Sequence, residues 1–431
     1  MAEKSSEKLS QLLYSGPCPH RRGGPYGSFR RHPPLDYPLT SKAALEPPEE
    51  WAGLREGCPV ARVTLPSGDE ATLLTRYDDV RAALSDPRLS REGLASPDAA
   101  RVSAGDTAGI FASPMARALN DEGHERWRRM VGRWFTARRM SALRPGMEEL
   151  AGRLIGRMRE HGNPADLVTH LAFPLPVLVI CSMLGVPESD RDAFKAWSDT
   201  FLNTTRYTKA ETEAAHRDFA AYMSGLVDAK RAAPGDDLLS HLLAGADSEG
   251  EPMSEAGLVA TGQALLLAGH ETTAGFIAMM TAHLLSDRTR WERLVADPSL
   301  VRRSVEELLR FDPNGSGFGM LRYVHEDTEF SGGTVPRGTT VVCSMAAANR
   351  DERAWQDAAA MDLDRSPNPH LAFGVGPHSC LGQPLARTEL QAVLTVLLRE
   401  LPTLRLAVDP RELRRHEGLL TSPLRELPVT W

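Results

Sequence analysis

Residues 373–382 read Phe373-Gly374-Val375-Gly376-Pro377-His378-Ser379-Cys380-Leu381-Gly382, and a helical pattern follows from Leu381 to Leu401. Two glycines before the cysteine permit a tight loop, and Gly382 permits the close approach of another surface. Because the cysteine directly precedes a helix, the exposed N–H groups and the dipole of that helix favour the thiolate. The segment therefore predicts a loop that presents a thiolate.

This thiolate loop has three interpretations. It surrounds the sulfur with amide donors and leaves space for a flat group, which suits an axial haem ligand whose thiolate favours O–O cleavage. An inert buried thiol is the usual fate of a lone cysteine, but the glycines, His378 and the following helix argue against it. A zinc site that uses His378 and Cys380 is conceivable, but no second Cys/His pair lies at suitable spacing.

The segment closely resembles the haem-binding loop of the cytochrome P450 family, and the match continues through Gln383-Pro384-Leu385-Ala386-Arg387. The resemblance extends from about residue 65 to the end of the chain. It implies a mainly α fold with small β-sheets and one long central helix over haem b. It also implies that Cys380 is the metal ligand and that the loop contacts the cofactor through Phe373, Gly374, His378 and Gly382.

Composition argues against several other classes of protein. The 431-residue chain has a net charge of −7, which gives no electrostatic reason to expect nucleic acid as a partner. The polar N-terminus and the interruption of the apolar stretch 171–186 by Pro174 and Pro176 predict neither a signal peptide nor a membrane anchor. Five widely spaced cysteines fit a reducing, cytoplasmic location rather than a disulfide framework.

The apolar pattern predicts one mainly helical domain over residues 51–431, preceded by an extended arm over residues 1–50. A β-hairpin is predicted over residues 60–74, a long loop over 88–120 and a second β-rich stretch over 322–343. Helices are predicted over residues 77–84, 122–135, 141–161, 166–184, 188–203, 208–231, 236–245 and 381–401, with two more between 287 and 311.

The longest predicted helix begins after its N-cap, Ser254, and continues to about residue 286, a length of about 48 Å. Its middle is almost entirely apolar, which predicts burial on all sides. The polar run Ala268-Gly269-His270-Glu271-Thr272-Thr273 is unusual there, since an unpaired buried polar group costs about 1–3 kcal/mol. Close packing at the glycine and back-bonding of a threonine to the helix would explain the run without any chemistry.

The resemblance gives this run a chemical role. In the cytochrome P450 family an acid–alcohol pair at this place lies over the haem and supplies protons during oxygen activation. By that resemblance Thr272 positions a water near the oxygen, and Glu271 conducts protons from solvent. Ala268 and Gly269 would leave the groove in which oxygen fits.

Glu307 and Arg310 lie three residues apart on one predicted helix face. As an isolated surface pair they would contribute only about 0.2–0.5 kcal/mol. They resemble the structural Glu-x-x-Arg motif of the family, whose third member precedes the haem loop, and Arg365 matches that position. The resemblance implies that the three residues hold the haem loop.

His124 and Arg128 are four residues apart and share a predicted helix face, whereas Arg322 and His378 are separate in sequence. Each of the four alone would be interpreted as a solvated surface group. The resemblance implies that together they bind the two haem propionates, which need cationic donors.

A local basic cluster stands out in this acidic chain. The resemblance places it on the cysteine side of the haem, where it would dock an acidic ferredoxin; a solvated helix face is the alternative. The cluster comprises Arg126, Arg128, Arg129, Arg133, Arg138 and Arg139.

The sequence thus predicts a haem-thiolate monooxygenase that activates dioxygen to hydroxylate or epoxidise a small organic substrate, with a secondary-metabolite intermediate as the favoured class. Electrons would come from NAD(P)H through a separate ferredoxin reductase and ferredoxin. Oxidative coupling of aromatic substrates through C–C or C–N bonds, and a non-catalytic haem-binding protein, are the alternatives. The expected pocket lining is residues 88–120, 265–273, 313–321 and 419–424.

Overall fold

The computed structural model of the protein describes residues 33–102, 114–190, 207–312, 318–416 and 421–431, with residues 193, 194, 196, 197 and 200. Helices dominate it, as predicted. In chain order the α-helices are α1 (Glu50–Gly57), α2 (Tyr77–Ser85), α3 (Pro114–Asp121), α4 (His124–Gly132), α5 (Ala137–Ala142), α6 (Arg144–His161), α7 (Pro174–Leu184), α8 (Lys209–Ala232), α9 (Leu238–Ala244), α10 (Glu255–Leu285), α11 (Arg288–Ala296), α12 (Val301–Phe311), α13 (Met345–Ala348) and α14 (Gln383–Glu400).

The strands form small sheets at the periphery of the helices. In chain order they are β1 (Leu35–Asp36), β2 (Val60–Thr64), β3 (Glu70–Leu74), β4 (Leu89–Ser90), β5 (Ala165–Asp166), β6 (Met320–Val324), β7 (Thr328–Phe330), β8 (Gly333–Val335), β9 (Thr340–Cys343), β10 (Arg405–Leu406) and β11 (Pro428–Thr430). The largest sheet has the order β1-β2-β3-β9-β6-β4, a second has the order β10-β11-β5, and β7 pairs with β8. The predicted hairpin is the antiparallel pair β2 and β3, in which Val60 lies opposite Leu74.

The central helix α10 agrees with the prediction to within one residue. The Ser254 side chain accepts the Gly257 N–H at 3.0 Å, which caps the helix. Its 31 residues span about 47 Å. The helix packs against α3, α7, α8 and α14. Because it has neighbours on several sides, most of its side chains are buried, which explains the apolar pattern.

The prediction of a continuous loop over residues 88–120 is wrong at both described ends. Leu89–Ser90 forms β4 on the edge of the largest sheet, and Glu92–Ala95 forms a 3₁₀ turn. At the other end, Pro114–Asp121 forms α3, which packs against α10. Residues 103–113 lie outside the described residues.

Several predicted helices start two or more residues later than the apolar pattern indicates, and two of them show the cause. Helix α4 begins at His124 because Gly123, with φ of +75°, turns the chain just before it. The segment 166–184 starts with β5 and a π-helical turn, Val168–Ala172, and α7 begins only at Pro174. Proline suits that first turn, since it has no N–H to pair there. The helix predicted over residues 188–203 falls largely outside the described residues.

The described part of the predicted arm belongs to the largest sheet. Leu35 and Asp36 pair in parallel with Val63 and Thr64 of β2. The Tyr37 hydroxyl donates to the Phe318 carbonyl at 2.7 Å, in the interior. Residues 33–50 therefore pack as part of the domain, and residues 1–32 lie outside the described residues.

Two further observations bear on the cysteines and the apolar helices. Cys58 is disulfide-bonded, whereas the sequence favoured a reducing location over a disulfide framework. Cys343 and Cys380 carry free thiols. Among the described helices we find none whose length and hydropathy would let it span a bilayer.

Candidate active site

The thiol loop, residues 373–382, is a tight turn that leads directly into α14. The Cys380 N–H donates to the Phe373 carbonyl at 2.7 Å, which closes the loop. Gly374 and Gly376 have φ of +63° and +77°, the left-handed region that favours glycine. A side chain at Gly376 would also approach the Leu84 carbonyl oxygen to 2.7 Å. Both glycines are therefore needed for the turn, and Gly376 also lets the loop lie against α2.

Cys380 is an exposed residue with a free thiol. Burial raises the pKa of the thiol. The backbone N–H groups of Gly382 and Gln383 and the charges of Arg128 and Arg387 oppose this rise, but the net pKa stays above its usual value. A thiolate here therefore needs a further cation, and a coordinated metal ion deprotonates a thiol outright.

Zinc finds no support as that metal. Among the residues that the structure describes, no three His, Cys, Asp or Glu side chains converge as ligands. A structural zinc site needs four such ligands and a catalytic site needs three. A single accessible cysteine instead fits an iron that receives its other ligands from a porphyrin.

The four predicted propionate ligands contribute to one cluster of cationic and imidazole groups beside the thiol loop. The His124 and His378 rings lie 4.0 Å apart between centroids, and Arg128 donates to the Ser379 hydroxyl at 3.0 Å. Burial first, then the charges of His124 and nearby arginines, among them Arg322, lower the pKa of His378 to about 3. The buried Nδ1 of His378 has no hydrogen-bond partner among the described residues.

Arg91 and Glu92 belong to the same cluster, and the sequence analysis missed both. Burial, and then the charge of Arg322, lowers the pKa of Arg91. Burial would raise the pKa of Glu92, but backbone hydrogen bonds and the two histidines, His378 and His124, lower it overall. This excess of positive and imidazole groups over one carboxylate fits a ligand with two carboxylates, such as haem, whose propionates would bind here.

The position of Arg91 has a local cause. The turn Glu92–Ala95 is fixed by the Gly93 N–H, which donates to the Ser90 hydroxyl at 3.0 Å. A side chain at Gly93 would come within 2.6 Å of the Tyr323 ring, so only glycine lets the turn lie against β6. Since Arg322 precedes Tyr323 on that strand, the contact brings Arg91 and Arg322 together.

The acid–alcohol pair lies on a short accessible stretch of α10. Ala268 and Thr272, one helical turn apart, are exposed in the middle of a helix that is otherwise largely buried. The Thr272 hydroxyl donates to the Ala268 carbonyl at 3.1 Å, the back-bonding that the sequence allowed. A side chain at Gly269 would meet Ile180 of α7 at 3.3 Å, so this glycine also permits close packing of α7 on α10.

Glu271 is a largely buried acid beside this stretch. Burial raises the pKa of its carboxyl group to about 7, and the Thr421 hydroxyl opposes the rise. An acid with this pKa is part protonated at neutral pH and can both give and take a proton. The sequence analysis did not assign Thr421 a role beside this acid.

Glu307, Arg310 and Arg365 form a buried ionic network. The Arg310 guanidinium donates to both carboxylate oxygens of Glu307, at 2.8 and 2.7 Å, and both side chains are completely buried. Arg365 donates to the same carboxylate at 3.1 and 3.2 Å. The Asp362 N–H and the Asn368 amide complete the carboxylate's partners. The network ties α12 to residues 362–368, directly before the thiol loop.

A second network, which the sequence analysis did not predict, joins α12 to the loop and to α14. Glu306 accepts from Arg387 at 2.8 and 3.0 Å and is 3.0 Å from the His370 ring nitrogen. Burial would raise the pKa of Glu306, but His370 and Arg387 lower it to about 2. The Arg387 guanidinium also lies 4.5 Å from the centre of the Phe373 ring. Arg387 thereby packs against Phe373 at the start of the thiol loop.

Two arginines of the predicted basic cluster are engaged in contacts within the protein. Arg126 pairs with Glu122 and Asp247 and donates to two backbone carbonyls. Arg139 lies over the Trp134 ring and pairs with Asp236. The cluster is therefore less of a free docking surface than its composition indicates.

The predicted pocket lining is only partly described. Residues 313–317 and 417–420 lie outside the described residues. Met320, at the start of β6, is 41% exposed. Among the described residues it is the only large hydrophobic residue that is exposed. An exposed apolar side chain in the described part of the 313–321 segment fits a site for an organic ligand.

Comparisons with known proteins agree with this geometry. The family model described as Cytochrome P450 matches residues 67–426. Nocardicin C N-oxygenase of Nocardia uniformis subsp. tsuyamanensis is 44% identical over 404 residues, 92% of this chain and 98% of that protein. Mycinamicin IV hydroxylase/epoxidase of Micromonospora griseorubida is 42% identical over 399 residues, 92% and 99% of the two chains.

Solved structures agree as well. A structure of the mixed-function P450 MycG has a TM-score of 0.84 and 41% sequence identity, and covers 93% of this chain and 100% of its own. Likeness of this extent covers both the thiol loop and the central helix. The chain therefore belongs to the cytochrome P450 family, and its reaction class is that of a haem-thiolate monooxygenase.

Proposed function

We propose that the protein hydroxylates or epoxidises a secondary-metabolite intermediate, with Glu271 and Thr272 delivering the protons. The observation that carries this proposal is the accessible stretch of α10 beside a carboxyl group whose pKa is raised to about 7. The relatives named nocardicin C N-oxygenase and mycinamicin IV hydroxylase/epoxidase support the substrate class.

The thiol loop prepares Cys380 to bind iron. When bound, haem with a thiolate ligand supplies oxygen activation and O–O cleavage. The Gly382 and Gln383 N–H groups stabilise negative charge on the sulfur, as do Arg128 and Arg387. The cluster of Arg91, His124, Arg128, Arg322 and His378 would hold the propionates and fix the orientation of the ring.

Proton delivery would run through two side chains one residue apart. Glu271 takes a proton from the solvent side and, at a pKa near neutral pH, returns it readily. The Thr272 hydroxyl has one proton to donate and two lone pairs, so it can turn from the Ala268 carbonyl to pass a proton through a water. Ala268 is exposed on the same stretch, and its small side chain leaves room beside the hydroxyl.

Substitution of Thr272 tests this role. Thr272→Val keeps the shape and removes the hydroxyl, so more of the consumed oxygen should leave as hydrogen peroxide during reductase-driven turnover. Thr273→Val is the matched control, because the neighbouring side chain is buried within α10. Equal peroxide fractions in Thr272→Val and the unsubstituted protein would contradict the proposal.

To identify the substrate, nocardicin C and mycinamicin IV are the first compounds to test. Their binding is measured by the shift in haem spin state. The product of a probe that binds is then formed under labelled dioxygen. One labelled oxygen atom in the product supports hydroxylation or epoxidation. A product that has lost two hydrogens and carries no label would instead support oxidative coupling.

We further propose that electrons reach the haem from NAD(P)H through a ferredoxin reductase and a ferredoxin. Arg129, Arg133 and Arg138 are the exposed members of the basic cluster. Arg129→Glu should slow ferredoxin-supported reduction and weaken its dependence on salt, since opposite charges steer association. Arg153→Glu, an exposed arginine of α6 outside the cluster, is the control. Unchanged salt dependence in Arg129→Glu would place docking elsewhere.

A further inference from the structure

A C-terminal hairpin lies beside the acid of the central helix. Its two arms are residues 414–416 and 423–425. Arg415 and Leu424 form an antiparallel bridge, and the His416 N–H donates to the Pro423 carbonyl at 2.9 Å. Leu424 is only 1% exposed and anchors the second arm in the main core. The position of Thr421, two residues before Pro423, is thereby set by a fixed framework.

The hairpin presses on one face of α10. A side chain at Gly275 would meet the Pro423 side chain at 3.2 Å, so the two backbones approach closely there. Glu271 lies four residues before Gly275 and thus on the same face of the helix. Thr421, on the same hairpin, acts on the carboxyl group of Glu271.

The Thr421 hydroxyl is a buried polar group near Glu271. Its oxygen is buried and makes no well-formed hydrogen bond to any described residue. It nevertheless lies close enough to Glu271 to act on that carboxyl group. A buried hydroxyl without a partner is unfavourable, and a small movement of either side chain would form a bond between them.

We propose that Thr421 is a positioning residue for Glu271, whose hydroxyl donates to the ionised carboxylate and holds it against the hairpin. A hydrogen bond to a carboxylate is stronger than one to a neutral carboxyl group. The acid is therefore held when ionised and is freer to turn toward Thr272 when protonated. This inference rests on the proposed role of Glu271 in proton delivery.

Charged neighbours do not explain the state of Glu271. Its pKa is raised by burial and lowered only by Thr421. On α10, His270 turns its ring to the Leu266 carbonyl and to Phe173. On the hairpin, Arg415 reaches the Ala44 carbonyl and is influenced by Asp312. None of these groups shifts the pKa of Glu271 through its charge. The same holds for His416 of the hairpin and Cys181 of α7.

The consequence is a pKa that depends on one hydroxyl group. Thr421→Val removes the donor and keeps the shape, so the ionised acid loses a stabilising partner and the pKa of Glu271 should rise by about one pH unit. Thr421→Ser keeps the hydroxyl and should leave the pKa unchanged. Gly275→Ala, which displaces Pro423, should raise the pKa in the same direction.

The experiment is a pH titration of the ferric, haem-loaded protein followed by infrared difference spectroscopy. Glu271→Gln identifies the carboxyl band of Glu271 by its loss. A higher midpoint in Thr421→Val and Gly275→Ala, with Thr421→Ser unchanged, supports the inference. A midpoint that is the same in Thr421→Val and the unsubstituted protein overturns it.

The same variants separate this inference from the proposed function. The infrared midpoint reports the contact between Thr421 and Glu271 whether or not Glu271 delivers protons. In turnover, Thr421→Val should move the pH dependence of the peroxide fraction upward by the same amount as the infrared midpoint. If the infrared midpoint moves but Glu271→Gln leaves the peroxide fraction unchanged, the contact stands and proton delivery by Glu271 fails.

Discussion

The substitution Glu307→Gln probes the network that connects α12 to the thiol loop. Glutamine keeps the volume and one acceptor oxygen but removes the negative charge. Glu307 and Arg310 are both completely buried, and the Arg365 side chain is only 11% exposed. The substitution therefore leaves two guanidinium groups without their shared carboxylate in a poorly solvated place.

Removing one partner of a buried ion pair costs about 3–5 kcal/mol. Here the carboxylate also accepts the Asp362 N–H at 2.8 Å and the Asn368 amide at 3.1 Å, so backbone order before the loop depends on it. We expect Glu307→Gln to lower the free energy of unfolding by that amount, a large share of the roughly 5–15 kcal/mol typical of a protein. Addition of Arg365→Gln should recover part of the loss, since it removes one uncompensated charge.

Urea unfolding of the haem-loaded protein measures the effect, with far-ultraviolet circular dichroism and haem absorbance recorded separately. Glu149→Gln is the matched control. It removes a carboxylate paired with Arg153 at 2.6 Å, but these side chains are 73% and 57% exposed, so a loss of at most about 0.5 kcal/mol is expected. A loss below about 1 kcal/mol for Glu307→Gln, or an equal loss for both, would refute the reasoning.

Three further predictions concern the cofactor cluster, the second network and the buried acid. Arg322→Gln should speed haem transfer to apomyoglobin at least about tenfold, because a charged hydrogen bond to a propionate is lost. Arg91→Gln should speed it less, and Arg129→Glu should leave the rate unchanged. Equal rates of haem transfer in all three variants would count against the cluster. Glu306→Gln should also speed haem loss, because Arg387 and His370 lose their shared carboxylate. The free energy of unfolding of Glu271→Gln, relative to that of the unsubstituted protein, should increase by at most about 3 kcal/mol as the pH rises from about 4.5 through about 7. In the unsubstituted protein the carboxyl group must ionise while buried over this range, whereas glutamine stays neutral. A stability difference that does not change with pH would contradict it.

Local sequence rules predicted the central helix and the thiol loop well. Ser254 and the apolar run after it define α10 through capping and burial, both of which are encoded within a few residues. The glycines before Cys380 encode the loop in the same way, since Gly374 and Gly376 need positive φ. The hairpin of β2 and β3 was visible in its alternating pattern.

Other elements depend on distant partners and have no local signal. Strands β1, β5 and β10 are only two residues long and exist because of the strands beside them. Helix α3 was hidden by the loop-like composition of residues 88–120 as a whole. The apolar residues of 166–184 predicted one continuous helix. In the structure a π-helical turn precedes Pro174, and the α-helix begins only at that proline.

The candidate site divides along the same line. The residues of the motifs were found through their resemblance to the family, whereas the roles of Arg91 and Glu306 had no such signal, and Thr421 was predicted only as part of the pocket-lining stretch 419–424. Glu306 is 81 residues from Arg387 and 64 from His370, so their contacts become visible only in the fold. The basic cluster shows the converse, since Arg126 and Arg139 look like free surface charges in the sequence but are paired in the structure.

The carbon-monoxide difference spectrum of the reduced protein tests the central claim, thiolate ligation by Cys380, most directly. We predict a maximum at the long-wavelength position typical of thiolate-ligated haem. It should survive Cys343→Ser, since burial raises the pKa of the Cys343 thiol to about 12, and move to the position of histidine-ligated haem in Cys380→His. A maximum at the histidine position in the unsubstituted protein, or no bound haem at all, would contradict the account.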